Sequence, residues 1–221
     1  MDTKKPIAAL FDLDGVILDT ESQYSIYWKE QGQKYRPDIP HFEQKIKGNT
    51  MKVILEYFKD QPGVPELVTQ GLNDFETQMN YHFIPGAENF IKELHNHGVK
   101  TAIVTSSNEL KMACVYKAHP HFKELFDRIL TADMFKSSKP DPDCYLLGAS
   151  LFETTPENCI VFEDSFNGLE AGNRAGMTVI GLSTTNSREE ICNKSHYVIP
   201  DFQGFTFEKM HAIMKDFNKK P

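Results

Sequence analysis

The sequence is poor in cysteine, and the four it has, Cys114, Cys144, Cys159 and Cys192, lie far apart, with no CxxC pair and no histidine cluster beside them. That spacing excludes a structural zinc site and a disulfide framework, and it predicts reduced thiols in a cytoplasmic protein. Long apolar runs are also missing. The stretch at 7–11 is cut off by Asp12 and is too short for a secretory h-region. Nothing approaches the roughly 20 apolar residues that a bilayer span requires, so no membrane partner is expected. Basic runs are lacking too: 24 Lys and Arg stand against 31 Asp and Glu, for a formal net charge of −7. No stripe could track a nucleic-acid backbone, so nucleic acid is not an expected partner. A small anionic ligand would need a local positive site.

Neither an internal repeat nor a low-complexity tract is visible. The 221 residues, 40% apolar and 25% charged, are enough for one core domain carrying an insertion. Short apolar runs at 7–11, 101–105, 128–131, 159–162, 178–182 and 197–199 alternate with stretches of helical period. Most of these runs are continuously apolar, as strands buried on both faces are. The pattern predicts an α/β fold, a Rossmann-like, doubly wound, mainly parallel sheet. Helices are expected from 87 to Gly98, at 145–151, at 169–175 ending on Gly176, and at 205–217, where Phe207, Met210, Met214 and Phe217 face inward.

One interval breaks the alternation. From 20 to 83 only helical patterns occur, at 22–31, 41–47, 51–59 and 66–82, punctuated by Pro37, Pro40, Pro62, Gly63 and Pro65. This predicts a helical cap over 20–83, inserted into a core formed by 1–19 and 84–221, with the chain returning through Pro85 and Gly86.

Four segments carry chemistry, each at a strand end or in the loop beyond. Asp12 and Asp14 close the first strand; side chains two apart on a strand share a side, so both carboxylates converge where open α/β sheets bind ligands. Gly15 then lets the backbone turn. Glu163 and Asp164 close another strand, and two acidic strand ends together point to one hard cation held by oxygen, for which Mg²⁺ is the natural candidate. Thr105, Ser106, Ser107 and Asn108 place hydroxyls and free N–H groups at a helix start, which suits a phosphate. Lys139 stands in a proline-bordered loop and supplies the local positive charge.

In this order the four segments resemble the motifs of the haloacid dehalogenase superfamily, and the helical insertion resembles its small cap. The resemblance covers nearly the whole chain. It is closest to the branch of β-phosphoglucomutase and small-metabolite phosphatases, on Asp19-Thr20-Glu21, Gly48, Pro85-Gly86 and Glu163-Asp164-Ser165. It implies that Asp12 is a nucleophile forming an aspartyl phosphate and that Asp14 is the acid and base. Thr105, the N–H of Ser106, and Lys139 would hold phosphoryl oxygens, with Asn108 reaching the same pocket. Mg²⁺ would be bound by Asp12, the carbonyl of Asp14 and Asp164, with Glu163 as a further ligand or a supporting partner. Lys47, Gly48, Asn49 and Tyr24 would meet substrate from the cap, and a monomer is the implied state.

Two departures separate this chain from the mutase pattern. Tyr24 stands where the mutase has a histidine, and Met51 stands where it has an arginine for a second phosphate. Hydrolysis of a small phosphorylated metabolite, such as a sugar phosphate, is therefore expected. A β-phosphoglucomutase acting through a bisphosphate and a non-catalytic sugar-phosphate binder are the alternatives.

Overall fold

The structure is a computed structural model that describes residues 5–47 and 49–219. Six strands, β1 (Ala8–Phe11), β2 (Lys100–Val104), β3 (Arg128–Leu130), β4 (Cys159–Glu163), β5 (Thr178–Leu182) and β6 (Tyr197–Ile199), form one parallel sheet in the order β3-β2-β1-β4-β5-β6. Strand residues alternate between two cores. Ala9, Phe11, Ile103, Ile160 and Phe162 face one, while Ala8, Leu10, Ala102, Val104 and Val161 face the other. Burial on both faces is why these strands read as unbroken apolar runs.

Helices cover the two faces: α5 (Ala87–Asn96), α6 (Glu109–Ala118), α7 (Asp143–Leu151), α8 (Phe166–Arg174), the short α9 (Arg188–Ile191) and α10 (Phe207–Asn218). On α10 Met210 and Met214 are buried as expected, while Phe207 and Phe217 are only half-buried. Between β1 and α5 lie the remaining helices, α1 (Glu21–Tyr35), α2 (Phe42–Lys45), α3 (Met51–Leu55) and α4 (Val64–Glu76). They enclose a third core built from Tyr27, Trp28, Phe42, Ile54, Phe58 and Val68. The chain leaves and re-enters along paired segments, with Asp19 N donating to His82 O at 2.8 Å and Ile84 N to Ile17 O at 2.9 Å.

Two helical expectations need correction. The pattern at 66–82 forms a helix only to Glu76; beyond it Met79 and Tyr81 are buried in the core of the sheet domain, and Phe83 bridges Leu18. Those contacts require extended backbone, which outweighs the helical period. The pattern at 51–59 is α-helical to Leu55 and tightens to a 3₁₀ turn over Glu56–Phe58, which seats Phe58 fully buried against Phe42.

Candidate active site

In a parallel sheet all strand ends share one edge, and β1 occupies the position where the strand order reverses. Register then decides what meets what. Phe11 pairs with Ile103 on one side and Phe162 on the other, so Asp12, Thr105 and the Glu163-Asp164 pair emerge side by side. Asp12 N donates to Phe162 O at 3.0 Å, locking the residue to β4.

Lys139 arrives from the loop before α7 and is 6% exposed. Its ammonium donates to Asp12 Oδ1 at 2.7 Å, Glu163 Oε1 at 2.6 Å and the carbonyl of Val104 at 3.1 Å, which uses all three hydrogens. Burial pulls this ammonium down, but Asp12 and Glu163 outweigh it and hold the group well above the ordinary lysine value. Glu163 is fully buried and equally committed. Tyr145 Oη donates to Oε1 at 2.9 Å, and the N–H groups of Asp164 and Ser165 with Ser165 Oγ donate to Oε2.

One oxygen from each of Asp12, Glu163 and Asp164 lies within 4.8 Å of the others. Such crowding has an electrostatic signature. Burial pushes the Asp12 carboxyl up to about 7, Lys139 opposes the rise, and Glu163 and Asp14 add to it. Asp164 is driven well above the carboxylate range by burial and then by Glu21, Glu163 and Asp12. Its Oδ2 is buried with no hydrogen-bond partner among the described residues. Gly15, at φ +72°, makes room for that oxygen: a Cβ there would fall 2.1 Å from Asp164 Oδ2. An orphaned carboxylate oxygen, only hard donors and excess negative charge together fit a small divalent cation.

Asp14 faces the other way, toward Thr20 and Ser107 of the sequence motifs and toward Lys111, which sequence reasoning did not single out. The hydroxyl of Thr20 and the ammonium of Lys111 both donate to Oδ1, and Ser107 Oγ donates to Oδ2 at 3.1 Å. Lys111 is 3% exposed, and its ammonium sits 4.6 Å from the centre of the Tyr24 ring. Tyr24 Oη in turn donates to Glu76 Oε1 at 2.7 Å. A signal for Lys111 was present in the chain: it falls in the first turn of α6, where the helix dipole disfavours a cation, so an anion nearby was called for.

The other predicted residues surround a cavity of about 480 Å³ between sheet edge and helical insertion. Thr105 Oγ1 accepts the N–H of Ser107 at 3.0 Å, which leaves its own O–H to donate. Ser106 lines the cavity, and so does Asn108, whose side-chain oxygen caps α6 by accepting Lys111 N at 3.0 Å. From the insertion, Lys47 Nζ reaches the carbonyl of Thr185 at 3.4 Å, and Asn49 Oδ1 accepts Asn167 Nδ2 at 3.1 Å. Met51 lines the same space. Glu21, also in the wall, has its carboxyl raised to about 7 by burial and the Asp14 charge. Gly48 lies outside the described residues. Among the described residues no helix is long and apolar enough to cross a membrane.

Known proteins resemble this chain in sequence and in fold. A solved structure of a HAD hydrolase of family IA, variant 3, from Entamoeba histolytica superimposes with a TM-score of 0.83 at 25% identity, covering 95% of this chain and 99% of that one. A Drosophila melanogaster protein named as a probable pseudouridine-5'-phosphatase is 27% identical over 217 residues, 93% of this chain and 94% of its own. A bifunctional riboflavin kinase/FMN phosphatase from Arabidopsis thaliana is 29% identical over 206 residues, 90% of this chain, which spans about half (54%) of that relative's length. Residues 9–182 match the family model of the haloacid dehalogenase-like hydrolases, and the chain belongs to that family.

Proposed function

We propose that this hydrolase is a Mg²⁺-dependent phosphatase that acts on a small phosphorylated metabolite through an aspartyl phosphate on Asp12. The observation that carries the reading is the Lys139 ammonium bridging Asp12 and Glu163, with Asp164 completing a buried acidic trio and a second aspartate, Asp14, two residues beyond Asp12. Such a constellation has no use in a mere binder, whereas nucleophile, acid and counter-cation are what phosphoryl transfer needs.

Asp12, the backbone carbonyl of Asp14 and Asp164 would hold the cation, which when bound offsets the crowded carboxylates and draws charge from the phosphoryl group. Glu163 has both oxygens engaged by Lys139, Tyr145 and Ser165, so its role is to fix Lys139 behind the ligands. An Asp12 oxygen attacks phosphorus while the bond to the leaving oxygen breaks and Asp14 supplies that oxygen with a proton. Water then attacks the acyl phosphate and gives a proton to Asp14, and the Asp12–phosphorus bond breaks to free Asp12 and release phosphate. Thr105 O–H and Ser106 N–H face the charge that develops on the phosphoryl oxygens, and the Lys139 ammonium, its hydrogens committed to Asp12, Glu163 and Val104, offsets that charge through space.

The helical residues 20–83 act as a cap, with the paired segments at 17–19 and 82–84 as its hinges, and the cavity between holds the leaving group. Lys47, Asn49 and Tyr24 contact it from that side. Met51 offers no charge for a second phosphate, which favours hydrolysis over mutase chemistry. The test is a phosphate-release screen with Mg²⁺ over hexose and polyol phosphates, pseudouridine 5'-phosphate and FMN, with Asp12→Asn as control. Release by the wild type that the variant abolishes supports the reading; undiminished release by Asp12→Asn removes Asp12 as nucleophile.

A further inference from the structure

We infer that Lys111 is a positioning residue for Asp14, pinning one carboxylate oxygen so that the other delivers the proton to the leaving group. The inference rests on the proposed role of Asp14 as the acid.

Two features of Lys111 work against the fold. It is almost completely buried, and an ammonium withdrawn from water is destabilising unless an anion lies against it. It also occupies the first turn of α6, the positive end of the helix dipole. Its buried neighbours on the same helix, Met112 and Val115, are apolar, and packing alone would be served by another such residue. What the charge gains is contact with Asp14 Oδ1 and with the face of the Tyr24 ring.

The three donors around Asp14 are not equivalent. A hydroxyl can turn and accept, so Thr20 and Ser107 suit either form of the acid. An ammonium can only donate. Lys111 therefore keeps Oδ1 an acceptor throughout, and the proton resides on Oδ2, beside Ser107. From Oδ2 it passes to the leaving oxygen as the bond from that oxygen to phosphorus breaks and the Asp12–phosphorus bond forms. Oδ2 recovers a proton from the water that cleaves the acyl phosphate. Tyr24 closes over the ammonium from α1 and is held by Glu76 of α4, so the insertion shields the pair from solvent.

Dependence on the leaving group is the test, because 2,4-dinitrophenolate departs without a proton and phenolate does not. With saturating Mg²⁺, kcat is measured for phenyl phosphate and 2,4-dinitrophenyl phosphate in the wild type, Asp14→Asn, Lys111→Met and Lys111→Arg, with inhibition by orthovanadate as a probe of the phosphoryl pocket. Lys111→Met is expected to lose at least about tenfold on phenyl phosphate, part of the ~10²–10⁴-fold of a general acid. On the dinitrophenyl ester it should lose little, with vanadate inhibition unchanged, and Lys111→Arg should recover most of the loss. Equal losses on both esters, weakened vanadate binding, or an arginine variant as impaired as the methionine one overturn the assignment. If Asp14→Asn itself shows no leaving-group dependence, the acid role fails and takes this inference with it; if Asp14→Asn shows it and Lys111→Met does not, only the inference falls.

Discussion

Gly168 leaves the space that the Glu163 carboxylate occupies: a Cβ on residue 168 would fall 1.7 Å from Glu163 Oε1, a distance no neighbouring atom can tolerate. The glycine sits in the first turn of α8, so the helix can approach the end of β4 only because it has no side chain there. Gly172, one turn on, does the same against Val179 and Val161, which are apolar and remote from the chemistry. The two glycines separate a functional packing contact from a structural one. Gly168→Ala is expected to displace Glu163 from Lys139 and to lower kcat by about tenfold or more besides costing ~1–3 kcal/mol. Gly172→Ala should cost similar stability with kcat nearly intact. Urea denaturation and aryl phosphate turnover on both variants decide the matter, and equal kcat losses would sink it.

The pairing of Lys139 with Glu163 supports a second expectation. Both groups are buried and mutually neutralising, and removing one partner of such a pair costs ~3–5 kcal/mol because it strands the other charge. Glu163→Gln keeps the shape and still accepts from Lys139, so it should be milder than Lys139→Met, which leaves Asp12 and Glu163 facing each other uncompensated. The double variant should be more stable than the sum of the single losses predicts. A double-mutant cycle by chemical denaturation measures this coupling; additivity would mean the pair does not act as a unit.

Much of this arrangement could be read from the chain, and the part that could not has a physical reason. Asp12, Thr105 and Asp164 lie at or just beyond the ends of strands built of mainly apolar residues, so their convergence follows once those strands are parallel and adjacent, whereas Lys139 comes from the loop before α7. The ends of β5 and β6 were equally plain. Glu76 was not, and Lys111 carried only the hint of a cation in the first turn of a helix, because each lies within a helix whose orientation to the sheet edge depends on tertiary packing. Glu163 was visible as an acid but not as the partner of Lys139, since whether a carboxylate meets a cation or an ion is decided by the loop 136–142. The segment 77–82 misled through a local helical period that burial of Tyr81 overrides.

Asp12 makes stability depend on pH and on metal in a fixed direction. Its carboxyl ionises near 7 in the folded, metal-free protein, against about 4 for an unfolded aspartate. Between these values the folded state binds the extra proton, so the contribution of Asp12 is greatest below about pH 4 and declines as pH rises toward 7. Asp164, also raised by burial, acts in the same sense. In EDTA the wild type should therefore lose stability relative to Asp12→Asn as pH rises from 4 to 7, and Mg²⁺ should reduce that gap by binding the ionised form. Urea midpoints for both proteins across this range, with and without Mg²⁺, check the sign. A gap that narrows with pH in EDTA would contradict the electrostatic account of the site.

Lys47 links the helical insertion to the loop after β5 through the carbonyl of Thr185, and it does so at the wall of the cavity. At 3.4 Å this is a weak contact, and a solvent-accessible ammonium contributes little to stability through it. On the proposed reading its value lies instead in reaching the leaving group, because that reading assigns Lys139 to the phosphoryl end. Lys47→Ala should therefore leave thermal stability within ~0.5 kcal/mol of wild type and barely change turnover of p-nitrophenyl phosphate, whose leaving group offers little to grip. For the metabolite that the release screen selects, KM should rise several-fold, because binding energy remote from phosphorus is lost. Measuring kcat and KM for both substrates separates these outcomes. If the variant impairs the aryl ester as much as the metabolite, Lys47 belongs to the phosphoryl site and the division of labour between core and insertion is wrong.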